Sequence, residues 1–281
     1  MRRRSVSAGS VRGSGNDGDH PFFVPKKRLG QNFLADPKVI SRIADACDLK
    51  PEETILEIGP GAGALTRALA PHVAHIIAVE ADGQLPERLR KEFDPSKLTV
   101  HHADFLKFDL SQLPRPIKVI GNLPYYISTP IMTRVIENRA QFSSLFMTVQ
   151  LEFGERLVAR PGTKEYGSLS VFVQTYARPK VLFNIGNRSF RPVPKVNSCF
   201  MRIDLGENSA VDVADEKLFD QVVRLAFQQR RKSLLNSLAS LRTKEILSRA
   251  FERAQIAPQS RAEQLTPTDF ARLTKAFLTG D

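Results

Sequence analysis

The chain has 281 residues, of which 42% are hydrophobic and 25% charged, a length and composition that fit one large globular domain or one large and one small. Its 41 Lys and Arg residues outnumber 30 Asp and Glu residues, and the net charge of +11 favours a polyanionic partner, with a basic protein lacking such a partner as the alternative. Cys47 and Cys199 stand far apart, which argues against a disulfide framework or a zinc site. The longest apolar runs fall short of the ~20 residues of a membrane span. We therefore expect a soluble protein in a reducing compartment.

The first 24 residues differ in composition from the rest of the chain. Residues 1–16 contain no acid and are rich in Arg and Ser, as a transit peptide is, but acidic Asp17 and Asp19 follow at once. We expect residues 1–24 to form a disordered basic tail and the protein to be cytoplasmic. A mitochondrial protein is the weaker alternative, and it rests on this tail alone.

Helical and strand-like patterns alternate through the first two thirds of the chain. Asp36 and Pro37 read as the N-cap and first turn of a helix over residues 37–49. Short apolar runs then recur between helical stretches, at residues 54–58, 76–79, 98–101, 117–121 and 145–150. This alternation predicts an α/β fold, a Rossmann-like parallel sheet with helices on both faces and ligands at the carboxyl ends of its strands.

Later segments complete the sheet and begin a different region. Residues 169–177 and 181–185 are predicted to form an edge hairpin joined by Arg178-Pro179-Lys180, and residues 198–205 are predicted to be the last strand. Beyond residue 206 the pattern is polar and then helical. We predict a Rossmann-like domain over residues 25–206 and a small helical domain over residues 207–281.

A glycine-rich turn follows the first predicted strand of the sheet. Gly59 and Gly61 allow the backbone to turn sharply and to approach a ligand closely. Glu80, about twenty residues further on, is placed to accept hydrogen bonds from ribose hydroxyls, and Asp104 follows the third strand, where an adenine amine would lie. Together these residues predict an adenosyl ligand, either NAD or S-adenosylmethionine. For Asp104 alone, a helix N-cap or a surface charge is the alternative.

The segment Asn122-Leu123-Pro124-Tyr125 directly follows the fourth predicted strand and is the most specific stretch of the sequence. An adenine amine is a poor nucleophile because its lone pair is delocalised into the ring. Acceptors at the Asn122 side chain and at a carbonyl near Pro124 would favour a pyramidal nitrogen and hence attack on a sulfonium methyl group. Tyr125 offers a ring on which the base can stack. The alternative is a strand-ending turn with a packed Tyr.

Two further predictions concern the substrate. Phe190, in a basic Pro-rich loop, is predicted to close over the other face of the base, with a Phe packed in the core as the equal alternative. Residues 221–244 carry basic residues and no acidic one, which favours contact with phosphates. The residues predicted to contact nucleic-acid phosphates are Arg224, Arg230, Arg231 and Lys232. Arg230 falls on the apolar stripe of the predicted helix, so we predict that it bridges the two domains or reaches buried nucleic-acid backbone. The more common alternative is a solvated basic face on a kinked helix.

With these residues in view, the chain resembles the ribosomal RNA adenine dimethyltransferase family of the KsgA type. The similarity runs from about residue 26 to the C-terminus. It rests on stretches that occur in one order, namely residues 27–34, 57–61, 80–82, 122–125, 166–171, 190–198 and 227–232. The resemblance implies that Asn32 and Leu34 join Gly59, Glu80, Asp104 and Asn122 in the S-adenosylmethionine site, which reasoning from the residues alone did not assign.

The resemblance also implies the substrate and the setting of the reaction. It implies N6,N6-dimethylation of two adjacent adenines near the 3′ end of small-subunit ribosomal RNA, in a pre-ribosomal particle, with S-adenosylhomocysteine as product. We expect no metal and a monomer. The alternatives are a macrolide-resistance type of enzyme acting on large-subunit RNA, and an assembly factor whose binding role outweighs its catalysis.

Overall fold

A computed structural model describes residues 32–206, 210–229 and 232–279. In chain order, the strands in these ranges are β1 (Phe33–Leu34), β2 (Thr54–Ile58), β3 (His75–Glu80), β4 (Leu98–His102), β5 (Ile117–Asn122), β6 (Phe142–Gln150), β7 (Arg178–Ile185), β8 (Phe190–Arg191) and β9 (Ser198–Asp204). The α-helices are α1 (Pro37–Ala46), α2 (Ala64–Leu69), α3 (Leu85–Glu92), α4 (Ser128–Glu137), α5 (Leu151–Leu157), α6 (Ser168–Tyr176), α7 (Glu216–Gln228), α8 (Leu234–Ser237), α9 (Lys244–Arg253) and α10 (Pro267–Leu278). The predicted tail, the residues before Asn32, and Arg230 and Arg231 lie outside the described residues.

Seven strands form the main sheet of the described chain, in the order β4-β3-β2-β5-β6-β9-β7. Strands β2 to β6 are parallel, whereas β9 runs antiparallel to both of its neighbours. The chain builds outward from β2 through β3 and β4, and then returns to place β5 on the other side of β2. The carboxyl ends of β2 and β5 therefore flank the point where the strand order reverses, which is where open α/β sheets bind their ligands.

Apolar side chains pack on both faces of the sheet. Alternation along β2 sends Ile55 into one hydrophobic cluster and Leu56 into the other, as the period of two in a strand requires. One cluster is covered by α1, α2 and α3, and the other by α4, α6 and the C-terminal helices. The predicted fold class, a Rossmann-like sheet with helices on both faces and a helical C-terminal region, is confirmed.

Most predicted elements are confirmed within a few residues. Asp36 caps α1, since its Oδ1 accepts from the Lys38 backbone N at 3.0 Å. The predicted strands at residues 54–58, 76–79, 98–101, 117–121, 145–150 and 198–205 correspond to β2, β3, β4, β5, β6 and β9.

The predicted strand over residues 169–177 is wrong, because this segment forms α6. Its side chains are buried on several sides of the helix, including Ser170, Val171, Val173 and Thr175, so it shows no polar face by which a helix is recognised in sequence. The predicted hairpin turn at Arg178-Pro179-Lys180 is also wrong, since these residues begin β7. Pro179 is tolerated there because β7 is an edge strand of the described part of the sheet, in which β9 is its one neighbour.

The helical segment after residue 206 shares a hydrophobic core with the sheet. Tyr166 Oη donates to the Leu265 backbone O at 2.8 Å, and its ring meets the edge of Phe227. The predicted apolar stripe is divided between α7 and α8, with Phe219 and Leu234 both buried. The domain boundary near residue 206 stays a prediction. No described helix is both long and apolar enough to span a bilayer.

Candidate active site

The glycine-rich turn after β2 adopts the left-handed backbone that its sequence predicts. Gly59 has φ +67° and Gly61 has φ +57°, a region that side chains with a Cβ rarely occupy. A Cβ on Gly61 would lie 2.8 Å from the Phe33 ring, whereas a Cβ on Gly59 would meet no atom within 4 Å. Close packing therefore requires Gly61, and Gly59 leaves room on the cavity side of the turn.

Glu80 closes this turn from the end of β3. Its Oε2 accepts from the Gly61 backbone N at 2.9 Å and its Oε1 accepts from the Asp82 backbone N at 2.8 Å. The side chain is 5% exposed, and burial raises the pKa of its carboxyl. A carboxylate has about four acceptor positions, so Glu80 keeps acceptor capacity for a ligand beyond these two backbone bonds.

Two adjoining cavities lie at this edge of the sheet. The first brings together six of the predicted cofactor residues, namely Asn32, Leu34, Gly59, Gly61, Glu80 and Asn122. The second shares Gly59 and Glu80 with the first and adds Asp104, Leu123 and Tyr126. Pro124 lines both cavities. Residues far apart in the chain thus form one continuous wall.

Asn122 is oriented by a residue ninety positions earlier. Its Nδ2 donates to the Asn32 backbone O at 3.1 Å, and this bond fixes the orientation of the Asn122 side-chain amide. The Oδ1 atom of the same amide is its acceptor. Asn32 and Leu34 reach the cavity because β1 pairs with β8, with Leu34 opposite Phe190. The segment before α1 is thereby held against the end of β5.

The turn after Asn122 is internally bonded. The Pro124 carbonyl oxygen accepts from the Ile127 backbone N at 3.1 Å and from Ser128 Oγ at 3.3 Å. Since a carbonyl oxygen has two lone pairs, Pro124 has no further acceptor position for a substrate. The predicted acceptor carbonyl near Pro124 is therefore not that of Pro124 itself. The carbonyl of Leu123, the preceding residue, is the adjacent candidate.

The aromatic residues of the site differ in exposure. Tyr125 is half-buried and its Oη lies 2.7 Å from Ser198 Oγ, while burial raises the pKa of its hydroxyl. Tyr126, which sequence reasoning did not assign, is 62% exposed and stands at the rim of the second cavity. Phe190 is 1% exposed and packs in the core beside Leu34, the packing alternative that the sequence left open. In this conformation neither face of Phe190 is open to a base.

Asp104 is exposed, as the surface-charge alternative predicts, and its Oδ1 accepts from the Leu106 backbone N at 2.9 Å within a turn rather than at the N-cap of a helix. It also lines the second cavity, so an exposed position and a role in the cofactor site are compatible.

On the helical segment, the predicted phosphate contacts Arg224 and Lys232 are both exposed.

Glu57 is a buried carboxyl at the wall of the first cavity that sequence reasoning gave no role. Burial, together with repulsion from Glu80, raises its pKa from 4.5 to about 7. Between these values the folded protein binds more protons than the unfolded chain, so the free energy of unfolding falls as pH rises. Over the whole window we expect a loss of about 3 kcal/mol.

We expect Glu57→Gln to remove most of this pH dependence, because an amide does not ionise. Urea unfolding between about pH 5 and about pH 8 measures it, with exposed Glu52→Gln as the matched control. A Glu57→Gln variant that loses stability with pH as steeply as the wild type would contradict the assignment.

Comparison with known proteins identifies the family. The profile of the family described as Ribosomal RNA adenine dimethylase matches residues 23–278. The chain belongs to the ribosomal RNA adenine dimethylase family. Its members are S-adenosylmethionine-dependent methyltransferases that dimethylate adenines in ribosomal RNA.

Individual members of the family and solved structures agree with this assignment. The chain is 42% identical over 257 residues to Ribosomal RNA small subunit methyltransferase A of Clostridium botulinum (strain Langeland / NCTC 10281 / Type F), covering 90% of this chain and 94% of the relative. A dimethyladenosine transferase from Plasmodium falciparum superposes with a TM-score of 0.75 at 25% identity, over 86% of this chain and 95% of that one. The 23S rRNA methyltransferase ErmE superposes with a TM-score of 0.68 at 28% identity, over 88% of this chain and 100% of that one.

Proposed function

We propose that this chain transfers methyl groups from S-adenosylmethionine to the N6 amines of two adjacent adenines near the 3′ end of small-subunit ribosomal RNA. The observation that carries the proposal is the position of Asn122. Its side chain lies on the wall of the cavity formed by Gly59 and Glu80, at the reversal of strand order. The name of the Clostridium botulinum relative supports the small subunit as substrate.

The cavities suit an adenosyl cofactor. Gly59 leaves space where a Cβ would project, and Glu80 retains acceptor positions for ribose hydroxyls. We assign Asn32, Leu34, Gly59, Gly61 and Glu80 to this site, with Asp104 at the adenine end. When bound there, S-adenosylmethionine supplies an electrophilic methyl group on a sulfonium sulfur. The expected absence of a metal stays a prediction.

The target amine would be held by two oxygens of the tetrapeptide. Asn122 Oδ1 is one acceptor, since Nδ2 is engaged by Asn32. The other is the Leu123 carbonyl, because the Pro124 oxygen already accepts from Ile127 and Ser128. Acceptors placed out of the ring plane localise the nitrogen lone pair. The proton leaves to solvent after transfer, so the residues act mainly by alignment and by exclusion of water.

Aromatic rings complete the proposed base site. Tyr125 is assigned to stack on the adenine, which is worth roughly 1–3 kcal/mol per base. A role for Phe190 over the opposite face requires its loop to move, because the ring is buried here. We assign Tyr126, which lines the rim of the second cavity, to the adenine end of the cofactor site.

Contacts to RNA outside the base site are assigned to exposed cations. Arg224 projects from the solvent-facing side of α7, opposite the buried Phe219 and Val223, and Lys232 follows that helix. Arg230 and Arg231, outside the described residues, stay predicted RNA contacts. We further propose that the enzyme acts as a cytoplasmic monomer on a pre-ribosomal particle.

The decisive experiment compares substrates. Incubation of the protein with labelled S-adenosylmethionine and undermethylated small subunits, followed by mapping of the modified nucleotides, is expected to give two adjacent N6,N6-dimethyladenosines near the 3′ end. Naked large-subunit RNA is the matched competitor. The second candidate, an enzyme of the large-subunit type, has only the more distant support of ErmE, which superposes with a TM-score of 0.68 at 28% identity. Preferential methylation of large-subunit RNA would establish it and overturn the proposal.

A further inference from the structure

A hydrogen bond joins the proposed base-stacking residue to a strand on the far side of β6. Tyr125 lies in the turn between β5 and α4, and its Oη is 2.7 Å from Ser198 Oγ at the first residue of β9. Strands β5 and β9 are separated by β6, so they lie about 10 Å apart. The Tyr125 side chain therefore spans the carboxyl end of β6 along the edge of the sheet that carries the cavities.

The two ends of this bond differ in how firmly their backbones are held. Ser198 is 0% exposed and pairs with Gln150 of β6 on one side and Ile185 of β7 on the other. Next to it, the Asn197 backbone O accepts from the Leu151 backbone N at 3.0 Å. Tyr125, in contrast, lies in a single turn of 3-10 helix outside the sheet. Ser198 is thus held by the sheet on both sides, and its hydroxyl can restrain the Tyr125 side chain.

From this geometry we infer that Ser198 is a positioning residue, which holds the Tyr125 ring in the orientation that stacks on the target adenine. The inference rests on the proposed function and deepens it. Ser198 acts through Tyr125, because its hydroxyl is buried and bonded to the tyrosine. A ring free to rotate about its side-chain torsions would still bind the base but would hold the amine out of line with the methyl group, which lowers kcat.

The test uses Ser198→Ala and Tyr125→Phe, singly and together, in the full chain. Each single change removes the bond and keeps the phenyl ring. We expect kcat on undermethylated small subunits to fall about fivefold in each, the factor typical of one net hydrogen bond. The double variant should lose about fivefold as well, rather than the roughly 25-fold of two independent effects. Additive losses would overturn the inference.

A second readout does not depend on turnover. An RNA oligonucleotide carrying 2-aminopurine at the adenine that the wild type methylates loses fluorescence when that base stacks. We expect weaker quenching in Ser198→Ala than in the wild type, with the affinity for S-adenosylhomocysteine unchanged. Equal quenching in both proteins, or loss of S-adenosylhomocysteine binding, would show that Ser198 has a structural role only and would overturn the inference.

The matched control is Ser170→Ala, which removes another fully buried serine hydroxyl. Ser170 Oγ donates to the Arg156 backbone O at 2.6 Å, away from both cavities. It should lower thermal stability at least as much as Ser198→Ala and leave kcat of the folded protein unchanged. An equal fall of kcat in the control would contradict a specific role for Ser198.

A wild type that methylates no adenine would instead overturn the proposed function. Failure of the inference about Ser198 and failure of the proposed function are therefore distinguishable.

Discussion

Replacement of Asn122 by Ala is expected to lower kcat/KM for adenine methylation roughly 10²- to 10³-fold, the cost typical of removing one preorganised polar group from a reacting centre. The change deletes the Oδ1 acceptor proposed for the target amine and also the Nδ2 bond to the Asn32 backbone O. Single-turnover methylation of undermethylated small subunits measures the effect. Binding of the variant to those subunits should stay within about twofold of the wild type, because the target amine is the only part of the RNA that Asn122 is proposed to contact.

Asn138→Ala is the matched control for this prediction. Asn138 Nδ2 donates to the Arg134 backbone O at 2.8 Å, as Asn122 donates to Asn32, but it lies at the end of α4 and lines neither cavity. The control should methylate normally. The same pair of variants separates catalysis from an assembly role, since an Asn122→Ala protein that binds subunits and methylates nothing isolates the binding function. Retention of near-normal methylation by Asn122→Ala would refute the proposed site.

The second large effect is expected for Glu80→Gln, which should weaken S-adenosylhomocysteine binding by about ten- to a hundredfold. Both carboxylate oxygens accept backbone N–H groups, from Gly61 and from Asp82. A glutamine of the same shape must turn its NH₂ group toward one of these donors, so a hydrogen bond is replaced by a donor facing a donor. The hydrogen bond that holds the glycine turn to residue 80 is then weakened, and the proposed acceptor for the ribose hydroxyls is lost as well.

Isothermal titration calorimetry with S-adenosylhomocysteine measures this affinity without turnover. The matched control is Glu87→Gln, an exposed acid on α3 that lines neither cavity. Unfolding in urea should accompany the titration, so that a variant that fails to fold is recognised. If Glu80→Gln binds as tightly as the control, Glu80 does not hold the cofactor.

Sequence reasoning worked best where local pattern and chemistry coincide. The strands β2 to β5, the glycine turn and the Asn122-Leu123-Pro124-Tyr125 segment were predictable because each is encoded within a few consecutive residues. It failed at α6, where burial on several sides removes the polar face that identifies a helix. For Phe190 it left two alternatives open, and pairing of β8 with β1 places the ring in the core of this conformation.

The amino-acid sequence by itself determined the α/β class, the acids and glycines that follow the strands, and the family resemblance. Tertiary structure alone decided which distant residues meet. It bonds Asn122 to Asn32 across ninety positions and Tyr125 to Ser198 across seventy-three, and it joins Glu80 to the glycine turn. The physical reason is that strand order and side-chain reach are set by packing of the whole chain, whereas periodicity reports only on neighbours along it.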